Sequence, residues 1–116
     1  MGQLVDLRAY RRRQRSRAAV YFSRGELNRL LGLFTRRVLA GEWRDYTIDN
    51  HETFAAFCVY RRAYDAPLYK VVKSAPGAAG GAGEWALMHG DRKVRQGRSL
   101  DAVLSGFAPS LRAVRS

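Results

Sequence analysis

Hydrophobic spacing along the chain follows two different periods. Leu27, Leu30, Leu31, Phe34, Val38 and Leu39 recur at three- and four-residue steps, the spacing of one helix face. Ahead of them, Phe22-Ser23-Arg24-Gly25-Glu26-Leu27 reads as a helix start. Ser23 is the N-cap, Glu26 completes a capping box three residues later, and Phe22 and Leu27 occupy the positions of a hydrophobic staple. Arg29, Arg36 and Arg37 fall on the polar side. Gly41 suits the position just past the last turn, where Arg36 and Arg37 meet the negative end of the helix dipole.

Beyond Gly41 the period shortens to two. Tyr46 and Ile48 alternate with polar residues, which predicts a strand over 44–49 closed by the turn-like Asp49-Asn50-His51-Glu52. Residues 53–60 are apolar on both faces, as a central strand is. After the turn Tyr64-Asp65-Ala66-Pro67, residues 68–73 form a third strand. Residues 84–89 form a fourth, and Gly90-Asp91 turns the chain into a short basic fifth over 92–96, placed at an edge where charge resists aggregation. The small-residue run 74–83 has no side chain large enough to anchor it and reads as a hairpin loop. Ser99 caps a second helix over 100–107, with Leu100, Val103, Leu104 and Phe107 on one face and Pro109 as its stop.

Short connections between successive strands favour an antiparallel meander. Two amphipathic helices need one apolar surface to cover. The expected fold is therefore α+β: an N-terminal amphipathic helix, a meander of four to five strands and a short C-terminal helix, both helices on one sheet face. Residues 22–108 make the single domain. Residues 1–21 form a basic arm too poor in apolar side chains to bury itself, for which disorder is the default, and 109–116 form a frayed end.

Charge adds a second theme. The 116 residues carry 21 Lys and Arg against 10 Asp and Glu, a formal +11. Residues 1–20 hold six arginines and one acid, so the excess is densest in the arm. Leu4, Leu7 and Tyr10 are spaced there at helical steps. The arm suits a phosphate polyanion or an anionic membrane surface, and the fork of the guanidinium favours phosphate. A solubilising tail is the plain alternative. One cysteine excludes a disulfide scaffold, two histidines exclude a His-rich metal cluster, and no apolar run reaches the length of a membrane span. Nor is there the apolar core of a secretory signal. The expected location is cytoplasmic.

Several stretches resemble a known family. They are Arg24-Gly25-Glu26-Leu27-Asn28, Gly41-Glu42-Trp43-Arg44-Asp45-Tyr46, Pro67-Leu68-Tyr69 and the Gly97-Arg98-Ser99-Leu100-Asp101-Ala102-Val103-Leu104 start of the last helix. Together, over about residues 22–107, they are similar to the small alphaproteobacterial proteins of the domain of unknown function 2794 family. The resemblance implies a small bacterial, cytoplasmic protein. It implies no activity, cofactor or catalytic residue. The Gly/Ala run at 77–83 departs from the family's more basic hairpin.

Catalytic chemistry has little material. Cys58 sits in the most apolar stretch, where an inert buried thiol is expected. Asp45, Asp49 and Glu52 lack the spacing of a metal loop and read as solvated turn acids. Gly80-Gly81-Ala82-Gly83 lacks the Lys-Ser/Thr ending of a phosphate loop. We expect no enzyme, no cofactor and no metal. Aromatics interleaved with cations on a sheet suit base stacking with phosphate neutralisation. The candidate nucleic-acid-binding residues are Arg11, Arg12, Arg13, Arg15 and Arg17 of the arm, with Arg61, Arg62, Tyr69, Lys70, Lys73, Arg92, Lys93 and Arg95 of the sheet. The alternative is a protein-interaction or structural module, a homo-oligomer or the binder of an unidentified protein, for which exposed Trp43 or Trp85 would be the sign.

Overall fold

The computed structural model describes residues 19–62, 65–76 and 83–107. The arginines expected to bind phosphate between 11 and 17, the tip of the Gly/Ala loop and the C-terminal residues lie outside the described residues. The described chain contains α1 (Arg24–Leu39), β1 (Asp45–Asn50), β2 (Phe54–Tyr60), β3 (Tyr69–Ser74), β4 (Trp85–His89), β5 (Arg92–Gly97) and α2 (Leu100–Leu104). The five strands form one antiparallel sheet in chain order. The α+β meander expected from the hydrophobic spacing is the observed fold.

Local chemistry sets the limits of α1. The Ser23 hydroxyl accepts from the Glu26 amide at 3.1 Å, and the Glu26 carboxylate accepts from the Ser23 amide at 2.7 Å. The capping box is complete. At the other end the Gly41 amide donates to Val38 and the Glu42 amide to Arg37, both at 2.9 Å. This Schellman arrangement needs a left-handed residue, and Gly41 supplies it with φ 79°. The turn brings Trp43 back beneath the helix, against Phe34, Tyr69 and Phe107.

That turn also corrects the expected apolar face. Leu39 is 80% exposed and Val38 is exposed too, whereas Leu33 packs on the core. Trp43, just past the helix, packs under its last turn as its position suggests, and Leu39 is left outside.

Strand register fixes the two faces of the sheet. Ile48 pairs with Phe57, Phe57 with Val71 and Val71 with Leu87. This row faces the helices, and Leu30, Leu100 and Val103 pack on it. Leu30, Leu87 and Val103 are fully buried. Removing each from water stabilises the fold by about 1.5–3 kcal/mol. Trp43 and Trp85 are both buried in this core. α2 is shorter than expected, ending at Leu104, but Phe107 still reaches the core and packs edge-on against Trp43 and Tyr69. Gly97 permits the close approach of β5 to α2, since a Cβ there would lie 2.7 Å from that of Ala102.

Residues 20–22 stitch the start of α1 to one end of the sheet. The Val20 amide donates to the His51 carbonyl at 2.8 Å, and the Asn50 side chain donates to the Val20 carbonyl at 3.0 Å. The Lys73 ammonium donates to the Tyr21 carbonyl at 2.8 Å, and the Phe22 ring stacks on Trp85. The chain thus reaches β1, β3 and β4 before the first helical turn.

Candidate nucleic-acid interface

The same register distributes the candidate cations. Thr47, Cys58, Lys70, Met88 and Lys93 form one cross-strand row on the face opposite the helices. Among the described residues no helix or strand lies on this face. Tyr60 belongs to it by alternation along β2, and its hydroxyl is 2.9 Å from that of Thr47. Lys70 and Lys93 flank Met88. A bulge in β5, where Leu87 pairs with Arg95 and Met88 with Lys93, makes Val94 the extra residue. It sends Lys93 to the open face and Arg95 to the helix side.

At one end of the sheet the strands deliver Arg44, Arg61, Arg62 and Arg92, with Asp45, Asp65 and Asp91 near them in sequence. Arg61, Arg62 and Arg92 are exposed. Among the described residues they take part in none of the ion pairs, which join Arg29 to Asp101, Arg37 to Glu42 and Lys73 to Glu26.

Two expected contacts lie elsewhere. Tyr69 is on the helix side, packed edge-on against Phe107 and His89. Lys73 is there too, three residues from Lys70 and therefore on the opposite face. Its ammonium is 2.7 Å from the Glu26 carboxylate and sits over the Trp85 ring. Partial burial pushes the Glu26 carboxyl up. Hydrogen bonds from Lys73 and the Ser23 amide, with the lysine charge, outweigh it and hold the pKa below the ordinary value. The structure thus puts Lys70 and Lys93 on one face, on either side of Met88, with Arg61 and Arg62 exposed at one end of the sheet. Tyr69, Lys73, Arg92 and Arg95 are on the other side of the sheet, Arg92 by its pairing with His89 beside Tyr69. Tyr60, one of the aromatics expected among the sheet cations, is the one that shares the face of Lys70.

The open face contains a groove of about 660 Å³. Ala56, Cys58, Val72 and Met88 supply its apolar lining, Asp49, His51, Thr53 and Phe54 one end, and Gly90 and Asp91 the other. Cys58 is 3% and Ala56 4% exposed. Burial pushes the Cys58 thiol up, and the Asp49 charge adds to it against a hydrogen bond from Thr47 and the charge of Lys70. A thiol held protonated is a poor nucleophile. No group of three or more His, Cys, Asp or Glu among the described residues is gathered as metal ligands are. No helix among them is long and apolar enough to cross a membrane.

The described residues form a two-layer α+β arrangement with one helix-covered sheet face, one open face, and exposed arginines at one end of the sheet. Residues 20–104 match the family model described as protein of unknown function (DUF2794), and the chain belongs to that family. No curated protein and no solved structure matches it.

Proposed function

We propose that this domain associates with nucleic acid, preferentially single strands, through its phosphates. The observation that carries the reading is that Arg61, Arg62 and Arg92, at the same end of the sheet, are exposed and outside the ion pairs of the described residues. Lys70 and Lys93 extend this charge along the open face, beside Tyr60 as a stacking platform. Such a surface neutralises a backbone and holds a base without reading sequence. The arginines of the arm add charge to the same protein. The domain performs no catalysis in this reading and acts in the cytoplasm.

Fluorescence anisotropy with random single-stranded RNA and double-stranded DNA tests it, on the full chain at low and near-physiological salt. Binding on the order of micromolar is expected, falling steeply with salt. The triple variant Arg61→Gln/Arg62→Gln/Arg92→Gln should bind RNA more weakly and lose about two units of log–log salt slope. A variant with Arg11, Arg12, Arg13, Arg15 and Arg17 changed to Gln should keep part of the affinity. If the triple variant binds as the parent does, the folded surface plays no part and the reading fails.

A further inference from the structure

The groove on the open face is built of unlike rows. Asp49, Ala56 and Val72 stand side by side across β1, β2 and β3. Phe54 and Ser74 flank this row on one side, Lys70 and Met88 on the other. Small side chains between larger ones leave a slot. Its flanks are four strand residues apart, about 13 Å. The Phe54 ring is stacked on that of His51, with centres 4.4 Å apart, so one flank is two rings thick. At the sheet edge the slot ends on the carboxylate of Asp49, which is exposed and in none of the ion pairs among the described residues.

A carboxylate repels a phosphate but accepts from the donor edge of a base. It offers two acceptor oxygens and no donor. Guanine has two neighbouring donors, its ring N1–H and its exocyclic amine, and they match both oxygens. In adenine and cytosine the amine stands beside a ring nitrogen that accepts. In uracil the ring N–H stands between two carbonyls. Each of these bases would turn an unsatisfied acceptor toward the carboxylate. We propose that the slot is a base site selective for guanine: the purine lies on Ala56 and Val72, the Asp49 carboxylate accepts from N1–H and the amine, and the Lys70 ammonium meets the adjoining phosphate.

This rests on the single-strand reading above and goes beyond it. The arginines and Tyr60 hold any strand, whereas Asp49 chooses one base. Asp91, the other carboxylate of the groove, follows Gly90 in the β4–β5 turn and precedes Arg92. It is at the end of the sheet where phosphates gather and takes no part in the choice. Asp49 is held on a strand beside the floor residue Ala56, so its carboxylate is positioned before a base arrives.

The test titrates the full chain into labelled uridine oligonucleotides that carry guanosine, inosine, adenosine or uridine at one central position, read by fluorescence anisotropy. The guanosine strand should bind about tenfold more tightly than the uridine strand, within the range of a bidentate contact to a base. Inosine lacks the exocyclic amine and should lose most of that advantage. Asp49→Asn should level the series, and Asp91→Asn should leave it as in the parent. Guanosine monophosphate alone should shift the backbone amide resonances of Asp49, Ala56 and Val72, while those of Leu30 and Val103 stay in place. Strands that bind alike, with their salt dependence intact, overturn the base site and leave the phosphate reading standing. Strands that do not bind at all overturn the phosphate reading, and slot amides that also ignore the nucleotide overturn the base site with it. A guanosine preference that survives Asp49→Asn overturns the role given to Asp49.

Discussion

Replacing Lys73 with methionine keeps the stem against Trp85 and deletes the ammonium. That ammonium donates to the Tyr21 carbonyl at 2.8 Å and to the Glu26 carboxylate at 2.7 Å. It also sits 5.8 Å from the centre of the Trp85 ring. Side-chain exposure is 25% for Lys73 and 27% for Glu26, so solvent screens the pair only in part. A charge-assisted hydrogen bond in a dry site contributes about 1.5–3 kcal/mol and an exposed ion pair under 1. Lys73→Met should therefore cost about 2 kcal/mol. Glu26→Gln retains an acceptor for the Ser23 amide and should cost about 1 kcal/mol. The double-mutant cycle should return a coupling near 1 kcal/mol. Urea unfolding measures all four species, with lowered midpoints and unchanged slopes. A Lys73→Met protein within about 0.5 kcal/mol of the parent would refute the reasoning, since that is the scatter of surface substitutions. A loss of RNA affinity without loss of stability would return Lys73 to the phosphate-binding set.

Acid should act on the same pair. The folded pKa of Glu26 lies below its ordinary value of 4.5, so its contribution is complete above that value and disappears as pH falls through the folded pKa; Lys73→Met should flatten this limb in urea midpoints measured against pH. Leu30→Ala should cost about 2–5 kcal/mol because Leu30 is fully buried, whereas Leu39→Lys should stay within about 0.5 kcal/mol, both read by thermal or urea unfolding. Gly97→Ala places a methyl 2.7 Å from the Ala102 Cβ and should destabilise by about 1–3 kcal/mol, with amide shifts concentrated in β5 and α2.

The parts of the fold visible in the sequence are those set by local chemistry. The capping box at Ser23 and Glu26, the glycine after α1 and the alternation of Tyr46 with Ile48 each depend on neighbours a few residues away. Their structures follow the expectation closely. The last turn of α1 depends instead on where the chain goes next. A helical repeat places Leu39 on the apolar face, but the returning Trp43 takes that place. The candidate surface divides in the same way. Lys70 and Lys73 look like one basic cluster on the page, yet three residues of strand put them on opposite faces, and only the partner Glu26, 47 residues away, shows what Lys73 is for. The separation of Lys93 from Arg95 required the bulge at Val94, for which Arg92-Lys93-Val94-Arg95 carries no local signal.

A sheet whose spatial order equals its chain order has a consequence for the order of assembly during synthesis. Every strand pairs with the segment made immediately before it, so four successive hairpins can form with short loop closures. α1 is made first, yet Glu26 waits for Lys73, Phe22 for Trp85 and Arg29 for Asp101. The C-terminal half of α1 can meet Trp43 and Tyr46 early through Phe34, but its N-terminal turn lacks its sheet partners until the fourth strand has left the ribosome. The bonds that clasp the start of α1 to the sheet are therefore expected to form on the native side of the folding barrier, which rates of unfolding and refolding of Lys73→Met would check. Breaking them speeds escape from the native state while leaving the climb toward it almost unaltered.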